Sequence, residues 1–210
     1  MKRVSVMVSL LALVFVAGAA LAAPINVDFS VLGINSIDIT VPSGYGLNGI
    51  SFWYDNFGST PDTAQVDSSG IFGSTYGCLV FDFDAPATAL SFDFSLLGAD
   101  ESVPDALAIM LKDTSDGGSD VANLTAPATF TPYDPNDPLE DDGDALGTFS
   151  YTGASFNQAL MFFAYDPTVT DPQLFTVGNI SYGVPEPSGL AFLAVGLLGL
   201  PGLRIIRRRG

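Results

Sequence analysis

Histidine is missing from all 210 residues, and cysteine occurs once, at Cys78. The first absence removes the commonest general base, the Ser–His and Cys–His nucleophile pairs, and most zinc sites. The second forbids an intramolecular disulfide; within the apolar run YGCLVFDF, Cys78 reads as a small hydrophobe. Basic charge is almost as scarce. Lys2 and Arg3 open the chain, Arg204, Arg207, Arg208 and Arg209 close it, and Lys112 alone lies between. Residues 23–183 therefore hold 22 acidic side chains against one basic side chain, a net charge of −21. Such a surface repels phosphate backbones and anionic lipid and attracts cations, which excludes nucleic acid as a partner.

Apolar and aromatic residues are plentiful. Hydrophobic residues make up 48% of the chain, with sixteen Phe and seven Tyr, more than a disordered acidic chain carries. A body of about 160 residues is long enough for one domain with a real core. Its dominant pattern has period two. In ALSFDFSLLG, Leu90, Phe92, Phe94 and Leu96 share one face, and Ser91, Asp93 and Ser95 the other. CLVFDFD alternates in the same way, and INVDF, SIDITV, ISFWY, ALAIMLK, LGTFSY, ALMFFAY and FTVGNISY are further strand candidates separated by Pro- and Gly-rich loops. In FTVGNISY the apolar phase changes at Gly178-Asn179, which predicts a bulge. About nine short strands predict an all-β fold, an antiparallel β-sandwich of jelly-roll-like type.

The two ends read as addresses. Lys2 and Arg3 precede an apolar stretch at residues 4–16, and Ala20-Leu21-Ala22 supplies a small-x-small cleavage site. Residues 1–22 are thus a signal peptide, cut after Ala22 by signal peptidase. At the other end, residues 189–203 are uncharged and mostly apolar; extended through residue 206 with snorkelling arginines, they make a short transmembrane helix. The basic end at 204–209 marks the cytoplasmic side.

Val184-Pro185-Glu186-Pro187, then the apolar helix at 189–206, then Arg207-Arg208-Arg209 resembles the PEP-CTERM sorting signal of exported Gram-negative proteins. The resemblance covers residues 184–210 only and leaves residues 23–183 as the body. It implies export across the inner membrane, a transient anchor, and processing by an exosortase-type membrane protease. The body would then reach the cell surface or the medium.

Three features of the body bear on chemistry. DPNDPLEDDGDALG sets Asp134, Asn136, Asp137, Glu140, Asp141, Asp142 and Asp144 within eleven residues, an oxygen-rich loop suited to Ca²⁺. EF-hand spacing is not met, because Leu139 stands where that loop requires Gly. KDTSDGGSD offers a smaller acidic loop with Asp113, Asp116 and Asp120. In GISFWYDNFG, the rings of Trp53 and Tyr54 beside Asp55 and Asn56 suit a saccharide site. The sequence thus describes an exported, surface-sorted, non-enzymatic protein of the extracellular matrix that binds polysaccharide. The alternative is a secreted carboxylate-dependent glycan hydrolase, although no spacing selects an acid–base pair.

Overall fold

Alternating stretches become strands, and two pairs of them fuse. The computed structural model describes residues 24–33, 35–58, 62–99, 101–131, 143–164 and 173–185. They contain β1 (Pro24–Asn26), β2 (Ile37–Asp38), β3 (Tyr45–Leu47), β4 (Ile50–Asp55), β5 (Ala64–Asp67) and β6 (Gly70–Ser74). The longer strands are β7 (Cys78–Leu97), β8 (Val103–Asp113), β9 (Ser119–Thr131), β10 (Asp144–Phe163) and β11 (Leu174–Gly183). Every ladder among the described residues is antiparallel. The helical content there is two 3-10 turns, and no helix is long and apolar enough to cross a membrane. Pro24–Val184 forms one unit.

Hydrogen bonds link all eleven strands, but the sheet is folded over on itself. One edge of β7 pairs with β4 over residues 78–83 and with β11 over residues 89–97, while β10 follows its other edge throughout. Phe81 and Phe92 stand eleven positions apart on β7, about 36 Å along a straight strand, yet their ring centroids are 6.2 Å apart. The strand must bend back between them. Pro86 lies at the bend, where β4 has ended, β11 has not begun and the β10 ladder shifts register. A missing N–H costs least there. β10 makes the matching bend through Gly153, between register shifts at Thr152 and Gln158.

Two layers result. The first runs β3-β4-β7-β10-β8-β9, using the first part of β7 and the last part of β10. The second runs β2-β5-β6-β11-β7-β10-β9, using the opposite parts. Rings from unpaired strands meet between them: Tyr54 faces Phe175 at 6.3 Å, and Phe163 stacks on Phe175 at 4.1 Å. Each fully buried Phe contributes roughly 1.5–3 kcal/mol, so this aromatic seam is a leading attractive contribution. The predicted bulge is present, with a β7/β11 register shift between Gly178 and Ser181 and Asn179 at φ 51°.

Candidate functional site

β4 has the burial order of a strand with one face in the core. Ile50, Phe52 and Tyr54 are buried, whereas Ser51, Trp53 and Asp55 are half-buried on the solvent side. This corrects the expected cluster of Trp53 and Tyr54 in one site, since adjacent residues on a strand point to opposite faces. Tyr54 is fully buried, and its hydroxyl donates to Ser74 O at 2.8 Å. Burial, the largest influence, pushes its pKa up to about 12. Asp55 and Asn56 serve the following turn: Asp55 Oδ1 accepts from Phe57 N at 2.8 Å, and Asn56 Oδ1 from Gly58 N at 3.0 Å. Asn56 Nδ2 also donates to Asp62 O at 3.0 Å. Of the four expected residues, Trp53 and Asp55 share the solvent-side face of β4, Asn56 lies in the turn that follows, and Tyr54 is turned into the core.

Trp53 belongs to a larger platform. Its indole Nε1 donates to Asp82 Oδ2 on β7 at 2.6 Å, and Gln158 Nε2 on β10 donates to Asp82 Oδ1 at 2.8 Å. Register continues this row to Lys112 on β8 and Asp120 on β9, whose charges lie 3.8 Å apart. A second row, in register beside it, runs Trp53, Val80, Leu160 and Met110. Val80 and Cys78 share this solvent-side face with Trp53 but are only 1% and 2% exposed. Flanking side chains must therefore close over them, giving an apolar surface one polar row away from hydrogen-bonding groups. Burial, the main cause, pushes the Cys78 thiol up to about 12, far from a reactive thiolate.

The opposite layer carries a feature with no contiguous sequence signal. A cleft of about 700 Å³ crosses β6, β11, β7, β10 and β9. Phe72, Thr176, Ser95, Leu146 and Thr129 line one row by register, with Gly178, Asp93 and Thr148 beside them. Asp93 Oδ1 accepts from Thr148 Oγ1 at 3.0 Å, and Oδ2 accepts from Asn179 Nδ2 at 2.8 Å. The Ser95 and Thr176 hydroxyls share a hydrogen bond at 2.6 Å.

The acidic loops contribute little to these surfaces. Asp134, Asn136, Asp137, Glu140, Asp141 and Asp142 lie outside the described residues, and Asp144 begins β10, opposite Leu97 and Thr131. In the smaller loop, Asp113 caps the 3-10 turn Thr114–Asp116 by accepting from Ser115 N, while Asp120 engages Lys112. Among the described residues, no three His, Cys, Asp or Glu side chains form a metal-binding group. Asp28 and Asp67 have pKa values lowered chiefly by hydrogen bonds from Ser30 and Ser69, the wrong direction for a glycosidase general acid.

At the tail, Val184 packs against the core and Pro185 is exposed. Glu186, Pro187, the helix expected at 189–206 and Arg207, Arg208 and Arg209 lie outside the described residues, as do residues 1–22.

No protein-family model matches the chain, and no curated protein matches it. Among solved structures, it is similar to a family 29 carbohydrate-binding module complexed with mannohexaose. That likeness has a TM-score of 0.36 and 11% identity, covering 70% of this chain and 90% of the other. A second structure of a family 29 carbohydrate-binding module gives a TM-score of 0.35 at 11% identity, covering 70% of this chain and 87% of the other. Likeness at that level carries no weight for fold or ligand.

Proposed function

We propose that the body is a non-catalytic saccharide-binding module of an exported, surface-sorted protein, and that Trp53 is its principal stacking residue. The carrying observation is the Trp53–Asp82–Gln158 chain beside the apolar row Trp53, Val80, Leu160 and Met110. A pyranose ring has apolar C–H faces and a polar equator. It matches a surface that offers an indole and the half-buried Leu160 and Met110 in one row, over the buried Val80, with a carboxylate and an amide in the next. Fixing the indole through Nε1 lowers the conformational cost of stacking on it. A net charge of −21 favours neutral glycans over uronates.

Trp53 is the chain's one tryptophan, so its emission reports on the platform alone. Titration with cellohexaose and mannohexaose should shift that emission, with hexagalacturonate weaker. Trp53→Ala should weaken platform binding by about thirtyfold or more, as expected of an interface anchor. Saturable binding with unaltered emission, or full-strength binding by Trp53→Ala, counts against this site. Release of shorter sugars during incubation favours the hydrolase reading instead.

Export and sorting form the second half of the proposal, and the ordered leader and tail motifs support it. Intact mass of protein recovered from the native host should correspond to a chain that begins at Ala23 and has lost Arg207, Arg208 and Arg209. Product that uniformly retains those arginines overturns the tail assignment.

A further inference from the structure

We propose that the cleft on the β6-β11-β7-β10-β9 face is a second saccharide site, so that one chain can bridge two polysaccharide strands. The ligand class rests on the reading just given; the geometry of the cleft does not. Its volume, about 700 Å³, falls within the range of small-ligand sites. It crosses five strands, about 19 Å at the usual spacing, which is long enough for several sugar rings.

Its chemistry is that of hydroxyl recognition. Thr148 and Asn179 each occupy one oxygen of Asp93, which orients the carboxylate and leaves acceptor capacity on both oxygens. The single hydrogen bond between Ser95 and Thr176 uses one hydroxyl proton and leaves the other available to a ligand. Leu146, 51% exposed, and half-buried Phe72 add apolar surface on either side. A metal ion is poorly served, because among the described residues Asp93 is the one carboxylate lining the cleft.

Gly178 supports the same assignment. It does not occupy the left-handed region, and a Cβ there would meet nothing nearer than Ser69 O at 3.5 Å. Gly178 borders the bulge, but neither a positive φ nor a close contact requires glycine there. Its effect is to keep the cleft floor open, where a larger side chain would stand in the ligand's path.

Calorimetric titration with mannohexaose and cellohexaose, read alongside Trp53 emission, separates the two faces. The parent should bind two equivalents, while Trp53→Ala keeps one. Gly178→Val should lose the other by about tenfold or more in affinity, with the emission change intact. Thr148→Val, nearly isosteric and exposed, provides the same test should Gly178→Val fail to give a cooperative melt. The parent alone should cross-link long glucomannan, seen as turbidity. If both cleft variants bind as the parent does and Trp53→Ala binds nothing, the cleft proposal fails and the platform stands. If Trp53→Ala retains both equivalents while Gly178→Val loses one, the cleft stands and the platform fails. No binding of either hexasaccharide by the parent overturns both.

Discussion

The two solvent faces of this sandwich treat polar side chains differently. On the Trp53 face, Asp82 and Gln158 link β7 and β10 to the indole on β4, and Lys112 and Asp120 engage each other. The row beside them is apolar, and Val80 within it and Cys78 one row further on are both buried. On the cleft face, the side chains at the centre are short: Ser95, Thr176, Gly178 and Asp93. One face offers a supported area and the other an open volume. A platform gains affinity by stacking on a fixed ring, and a cleft by shape and hydroxyl contacts, so mutations should separate them cleanly.

Alkaline pH is the largest stability probe of that difference, because Cys78 and Tyr54 both belong to the platform layer. Burial raises the Cys78 pKa from 9.0 to about 12 and the Tyr54 pKa from 10.0 to about 12. A raised pKa in an acid that is neutral when protonated means that the folded state holds its proton longer than the unfolded one. The stabilisation is therefore complete below about pH 9 and is lost as pH rises towards about 12. For Cys78 the loss is at most about 4 kcal/mol over that window. Cys78→Ala and Tyr54→Phe should each flatten the fall in stability between pH 9 and 11, measured by urea unfolding and compared with each variant's own value at pH 7. An unchanged slope in both would move the titration to another group, such as Tyr182, whose pKa burial also raises.

Much of the platform layer was legible in the sequence, and the way it failed is instructive. Ile50, Phe52 and Tyr54 form an all-apolar set on one face, against Ser51, Trp53 and Asp55 on the other. Alternation alone therefore separates Tyr54 from Trp53; their adjacency in the chain obscured it. β3 was also within reach, since Asn48-Gly49 with both residues at positive φ is a strong hairpin turn signal. β7 and β10 each carry two separate alternating stretches, CLVFDFD with ALSFDFSLLG and LGTFSY with ALMFFAY, and Pro86 and Gly153 between them have the look of breaks in a flat sheet. In a folded-over sheet they are bends. β9 hid for another reason: at a sheet edge, its exposed Asn123, Thr125, Pro127 and Thr129 give little apolar periodicity.

The cleft had no comparable signal. Its residues run from Ser69 to Gly178, on five strands and the turn before β6, and none stands out in its own segment. Pairing register alone brings Phe72, Thr176, Ser95, Leu146 and Thr129 into one row.

The smallest predicted effect tests whether Asp82 truly holds the indole. In Asp82→Ala, the half-buried Trp53 Nε1–H and Gln158 Nε2 both lose their acceptor. Partial exposure lets water replace some of that bonding, so the cost should be about 1–2 kcal/mol. Asp82→Asn should cost less, because its remaining carbonyl can accept from the indole while Gln158 turns its own amide to match. Trp53 emission should move to longer wavelength in Asp82→Ala and stay near the parent in Asp82→Asn. Gly178→Val lies on the other face and should leave it unchanged. Saccharide affinity at the platform should follow the emission, since a freed ring pays more conformational entropy to stack. If Asp82→Ala leaves both emission and affinity at parental values, surrounding packing holds the indole and the hydrogen bond is incidental.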